Sequence, residues 1–115
     1  MDDPGSTTSH ALHVVHAPFP GAYVLTLRGT ADVTTCAALE DDFATATATG
    51  LRLIVDLAAL EHGDESLLGL LINAHRTTGI ELVGPLSPSF RRRLDTAGIT
   101  GWFTIRPTLT AALTQ

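Results

Sequence analysis

Leu53-Ile54-Val55-Asp56-Leu57 and, shortly after it, His62-Gly63-Asp64-Glu65-Ser66-Leu67-Leu68-Gly69 decide how this chain is read. A run of aliphatic residues, then a short polar stretch, then leucines at helical spacing predicts a buried strand that delivers a loop to a helix start. Asp64 is the expected N-cap of that helix, with Leu67, Leu68, Leu71, Ile72 and His75 on one broad face and Gly79 at its end. Residues 51–57 are apolar apart from Arg52 and Asp56, which predicts a central place in a sheet.

Upstream, Leu12 to Ala17 has strand-like composition, and Pro18-Phe19-Pro20-Gly21 signals a turn into Tyr23-Val24-Leu25-Thr26-Leu27. The two strands are expected to be adjacent. On the second, Tyr23, Leu25 and Leu27 share a buried face while Thr26 and Arg28 lie on a wetter one. Cys36, Leu39, Phe43 and Ala46 recur at helical spacing before Gly50, so an amphipathic helix follows, with Cys36 as a small core residue.

Downstream, Ile80-Glu81-Leu82-Val83 is a strand, and Ser87-Pro88 gives the N-cap and first residue of a helix that ends at Gly98. Phe90, Leu94 and Ala97 make its inward stripe. Trp102-Phe103-Thr104-Ile105 is a short strand, and Thr108 caps a last short helix with Leu109, Ala112 and Leu113. Strands alternating with short helices predict an α/β fold, a mixed sheet with helices packed on it.

The length of 115 residues predicts one domain able to bury a core of its own. No apolar run approaches the roughly 18 residues of a membrane span, so no membrane insertion is expected. Residues 1–9 lack the basic and apolar segments of a secretory signal and are read as a disordered arm. The one cysteine, Cys36, permits neither an intramolecular disulfide nor a multi-cysteine metal site, which fits the cytoplasm. A net charge of -5 argues against a nucleic-acid partner. Arg91-Arg92-Arg93, the one basic cluster, is read as solvated helix surface because successive helical residues diverge by about 100°.

The central stretch resembles the switch loop of STAS domains, the fold of bacterial anti-sigma factor antagonists, where the usual loop reads Asp-Ser-Ser-Gly-Leu-Gly. Gly29-Thr30-Ala31-Asp32 resembles the family's Gly-x-Leu-Asp turn. Leu82-Val83-Gly84-Pro85, Ser89-Phe90-Arg91-Arg92-Arg93-Leu94, Ala97-Gly98-Ile99 and Phe103-Thr104-Ile105 follow the family's C-terminal half in order, so the likeness runs over residues 10–115. It implies a single STAS domain: a mixed sheet of four to five strands with about four helices, mainly on one face. It also implies a non-catalytic protein-interaction module that takes no cofactor and binds a kinase-type anti-sigma factor in partner switching. A homodimer is compatible with that role.

In such proteins the first loop serine is phosphorylated by the partner kinase, and here that position is Glu65. A carboxylate carries about one negative charge, against about -1.5 to -2 and three acceptor oxygens for phosphoserine. Two readings of Glu65 stand side by side: a partial phosphoserine mimic outside kinase control, and an ordinary first-turn carboxylate favoured by the helix dipole. His62-Gly63 stands where the family has apolar residues, and Leu67 replaces the usual glycine, with core filling as its expected role. Ser66 keeps a hydroxyl but is turned about 100° from the usual site, so it is expected not to accept phosphate. Asp32 and Asp64 match the family's loop aspartates and suit helix capping. The expected partner-binding loop is thus Asp32, His62, Gly63, Asp64, Glu65, Ser66 and Leu67.

His10, His13 and His16 do not predict a metal site, since His13 and His16 face opposite sides of a strand. His62, near Asp64 and Glu65, is read as a solvated loop histidine. STAS domains also serve in lipid-transport and stress-signalling assemblies, and some bind nucleotides, but no Gly-rich phosphate loop occurs here. Ser66, His62 or His75, and Asp64 lack the Gly-x-Ser-x-Gly elbow that hydrolase chemistry of this kind uses, so catalysis is not expected.

Overall fold

The computed structural model describes residues 11–114. The expected N-terminal arm at residues 1–9, and His10, fall outside the described residues. Strands β1 (Leu12–Phe19) and β2 (Ala22–Ala31) form an antiparallel hairpin in which Phe19 faces Ala22. Pro18 and Phe19, expected in the turn, extend β1 instead, because Pro20-Gly21 suffices to reverse the chain: Gly21 adopts φ 82°, the left-handed conformation that glycine takes freely.

Helix α1 (Val33–Ala48) leads to β3 (Arg52–Asp56), β4 (Leu60–Gly63), helix α2 (Glu65–Thr78) and β5 (Ile80–Val83). Helix α3 (Pro88–Ala97), a 3-10 turn (Thr100–Trp102), β6 (Thr104–Arg106) and helix α4 (Leu109–Leu113) complete the chain. The strand order is β1-β2-β3-β5-β6, with β4 paired to β2; all pairs except β1 with β2 are parallel. The sheet is mixed and β3 is central, as expected.

Six strands are present among the described residues, one more than the upper expectation. The addition is β4, which takes in His62 and Gly63, both expected in the loop. Its exposed Glu61 and His62 give it no apolar run to announce a strand. It exists because β2 changes partner: Ala22 to Thr26 pair with β3, and after a register shift at Gly29/Thr30 the end of β2 pairs with β4. Gly29 makes that bulge at φ 101°.

Helices α1, α2 and α3 cover one face, where Leu39, Phe43, Leu71, Phe90 and Leu94 close over Leu25, Leu27, Leu53, Val55 and Leu82. The opposite face is wetter only in part. Thr26 is half-buried and Arg28 exposed, as their side of β2 predicts, but Ala22 and Val24 on that same side join Ile54 and Val83 beneath Ala112 of α4. Arg52 fastens the small helix: its Nε and Nη2 donate to Glu81 at 2.9 and 3.1 Å, and Nη2 also donates to the Ala112 carbonyl at 2.6 Å.

The capping residues act as the sequence predicts. The Asp64 side chain accepts from the Ser66 amide, Ser87 from the Phe90 amide and Thr108 from the Ala111 amide, while Gly79 and Gly98 end their helices at positive φ. Differences fall at the margins of helix faces. On α2, Ala74 is buried whereas Ile72 and His75 are half-buried; Ala97, expected to point inward on α3, is exposed. The strand expected from Trp102 begins at Thr104, leaving Trp102 half-exposed in the 3-10 turn and only Phe103 buried.

Candidate functional site

Parallel pairing of β2 with β4 puts Ala31 opposite Gly63. The next residue on each strand is an N-cap, so Asp32 opens α1 and Asp64 opens α2 side by side. The Asp64 amide donates to the Ala31 carbonyl at 3.1 Å and locks that rung. The two helix starts, 32 residues apart in sequence, are therefore set by a single strand pairing.

Asp32 is heavily engaged. Its Oδ1 accepts from the Thr34 hydroxyl at 2.6 Å and from the Thr34 and Thr35 amides at 3.0 and 3.1 Å, while its own amide donates to the Thr35 hydroxyl at 2.9 Å. The Thr34 hydroxyl bond foremost, with the Thr35 and Thr34 amides, holds the carboxyl down at about 2 although partial desolvation opposes it. The folded value lies below the ordinary 3.8, so the unfolded chain binds the extra proton as pH falls. The capping contribution is then complete above about 3.8 and lost as pH falls through about 2. A carboxyl carbon titration by NMR is expected to place the Asp32 midpoint near 2, and Asp32→Asn is expected to remove the acid-side slope of stability in that window.

Glu65 is the first residue of α2, and its side chain is 86% exposed. It lies between two grooves. One runs between α1 and α2, about 530 Å³, past Val33, Cys36, Glu40, Ser66 and Asn73. The other, about 480 Å³, lies between α2 and α3 and is walled by Arg92 and Arg93 over Leu68. Arg93 Nη1 stands 3.8 Å from Glu65 Oε2. The arginine run read as solvated surface is thus divided: Arg91 and Arg92 are exposed, but Arg93 is half-buried beside the loop. No spacing rule pairs residues 65 and 93, since only the placement of α3 against α2 brings them together.

Ser66 is half-buried on the opposite groove from Arg93. Cys36 lies in that groove too, and burial first, then the charges of Asp64, Asp32 and Glu40, push its thiol up to about 11. A protonated, buried thiol suits the core role expected of it. His62 is exposed on β4, and His75 sits near the far end of α2, about 13 Å along the axis from Ser66. The His75 ring is instead occupied, its Nδ1 accepting from the Ile80 amide at 3.1 Å beside Phe103. Ser66, His75 and Asp64 do not converge.

Gly63 and Leu67 are one packing unit. Leu67 is fully buried, and a Cβ at residue 63 would meet Leu67 Cδ2 at 2.8 Å and Phe90 Cδ1 at 3.0 Å. Gly63 has no positive φ, so space rather than backbone conformation calls for glycine there. Compared with the loop this chain resembles, bulk has left position 63 and entered position 67. The two departures compensate each other.

Away from the loop, His16 on β1 turns towards α1. Its Nδ1 lies 2.7 Å from the Tyr23 hydroxyl and its Nε2 2.7 Å from Asp42 Oδ1, while His13 is exposed. Among the described residues no three His, Cys, Asp or Glu side chains are grouped to hold a metal ion. No helix among them is long and apolar enough to cross a membrane.

Comparison with known proteins places this geometry. An anti-sigma factor antagonist from Mycobacterium paratuberculosis is similar in structure, with a TM-score of 0.82, 28% identity, and coverage of 90% of this chain and 92% of that one. SpoIIAA in its unphosphorylated form gives 0.72 at 22% identity, covering 90% and 93%. The Bacillus cell fate determinant SpoIIAA in the phosphorylated form gives 0.67, also at 22% identity, covering 90% and 97%. No curated protein matches the sequence. The STAS domain model matches residues 16–112, nearly the whole alternation of strands and helices just described, and the chain belongs to the STAS domain family.

Proposed function

We propose that this protein is a non-catalytic partner-switching module of the anti-sigma factor antagonist kind, binding a kinase-type anti-sigma factor through Asp32, His62, Asp64, Glu65 and Ser66, with the buried Gly63 and Leu67 seating that loop from beneath. The observation that carries this reading is the exposed carboxylate of Glu65, in the first turn of α2 beside the Asp32 cap, on a fold shared with anti-sigma factor antagonists. Residues 10–115 act as one domain of a bacterial cytoplasmic regulator of transcription. Its copies need no cofactor, and a homodimer is compatible with the role.

Phosphoserine at the first turn of a helix is accommodated by free backbone amides and the dipole, and changes what a partner meets without unfolding the helix. Glu65 keeps part of that charge permanently and offers no hydroxyl, so the kinase cannot toggle it. The module is held in a partly phosphorylated-like condition. Ser66 does not substitute, being half-buried towards the α1–α2 groove.

Incubation with ATP and a purified kinase-type anti-sigma factor from the source genome tests this. Glu65→Ser is expected to gain one phosphate by intact-mass spectrometry while wild type gains none. Stoichiometric phosphate on wild-type Ser66, or failure of both proteins to bind every such factor, would overturn the proposal.

A further inference from the structure

The groove between α2 and α3 is chemically unlike the rest of this acidic chain. Arg92 and Arg93 form one wall, Ser89 and Thr96 add hydroxyls, and Leu68 gives an apolar floor. Arg52 and Arg106 are both paired with Glu81. Arg92 makes no ion pair among the described residues. Arg93 is 34% exposed, and its Nε, like that of Arg106, is shielded from water without a hydrogen-bond acceptor among them. A guanidinium presents a fork of donors suited to a carboxylate, and it is the exposed part of Arg93, not the shielded Nε, that faces the groove. Glu65 touches that fork only at Nη1, at 3.8 Å, from an exposed position.

We propose that the α2–α3 groove is a docking subsite for an acidic side chain of a protein partner, anchored by Arg93 with Arg92 beside it, and that Glu65 is its intramolecular competitor. Charge complementarity selects the occupant: two guanidinium groups above an aliphatic floor fit a carboxylate carried next to an apolar residue. Glu65 already places a carboxylate at the mouth of the groove. A partner's acid must displace it and be repelled by it, so the charge at position 65 controls entry to the groove. The inference stands on the groove and its charges, whichever protein the partner is.

The test uses side-chain Nε–Hε resonances of Arg92 and Arg93 in the full chain, titrated with the capped peptide acetyl-Glu-Leu-Glu-amide. Glu65→Gln alters an exposed side chain and leaves the core intact. The peptide is expected to shift Arg93 saturably and to bind Glu65→Gln about two- to fivefold more tightly than wild type, as an exposed competing ion pair dictates. Arg93→Gln is expected to abolish the response at Arg92 as well, and Arg93→Lys to restore it in part. Equal affinity for wild type and Glu65→Gln, or no saturable shift at Arg93 in either, overturns the proposal. Tighter binding of inorganic phosphate than of the peptide also overturns it, by assigning the groove to phosphate groups. Because no anti-sigma factor is present, the result is separate from that of phosphate transfer to Glu65→Ser.

Discussion

Leu67→Gly is expected to remove about 3–5 kcal/mol of folding stability, read as a lower urea midpoint by circular dichroism with little change in slope. Leu67 is fully buried within the main core at the third residue of α2. Truncating a buried leucine to alanine costs about 2–5 kcal/mol through lost transfer energy and the cavity left behind. Glycine adds up to about 1 kcal/mol of backbone entropy, less in a first turn than in a helix interior. Small domains hold about 5–15 kcal/mol in total, so restoring the family's usual glycine takes a large share of it. Gly63→Ala alone is expected to cost about 1–3 kcal/mol by overpacking against Leu67 and Phe90. Combined with Leu67→Ala it should cost less than the sum of the single changes by about 1 kcal/mol, because each relieves the other's misfit. Additive costs would mean that the two positions do not share space.

The second large effect is expected at Gly29→Ala, a loss of about 3 kcal/mol or more, with the deficit concentrated where β2 meets β4. At φ 101° a side chain is strained whatever the space, and here its Cβ would stand 2.3 Å from the Ala11 carbonyl oxygen. That oxygen cannot withdraw freely, because it accepts from the Thr30 amide at 2.9 Å. The substitution therefore attacks the bulge that turns β2 towards β4, and with it the rung that sets Asp32 beside Asp64. Native-state hydrogen exchange should show the Asp64 amide losing protection more than amides of β3. Uniform loss across the sheet would indicate global destabilisation without a special role for the bulge.

Most of the fold could be read from the chain because its signals are local. Asp64, Ser87-Pro88 and Thr108 announce helix starts, Gly79 and Gly98 announce ends, and residues 51–57 declare a central strand through apolar continuity. What escaped was made by tertiary placement. β4 has almost no apolar pattern of its own and becomes a strand only because the Gly29 bulge brings β2 to it. Ala97 is exposed where it was expected to point inward, and Ile72 and His75 are only half-buried, because periodicity alone does not fix the edges of a helix stripe. In the candidate site, the caps and the carboxylate at 65 were visible in sequence. Arg93 was not, since its relation to Glu65 depends on how α3 lies against α2. Nor was the exchange of bulk between positions 63 and 67, which needs side-chain distances.

The exposure of Glu65 bears on how position 65 can change over generations. Every task that folds the start of α2 belongs to a neighbour: Asp64 caps it, the Ala31 rung anchors it, and Leu67 seats it in the core. Residue 65 adds only an exposed first-turn carboxylate and its long contact with Arg93. Selection for a folded protein therefore constrains that position less than its neighbours, and under the proposed function an exchange between glutamate and serine there changes the charge a partner meets without a misfolded intermediate.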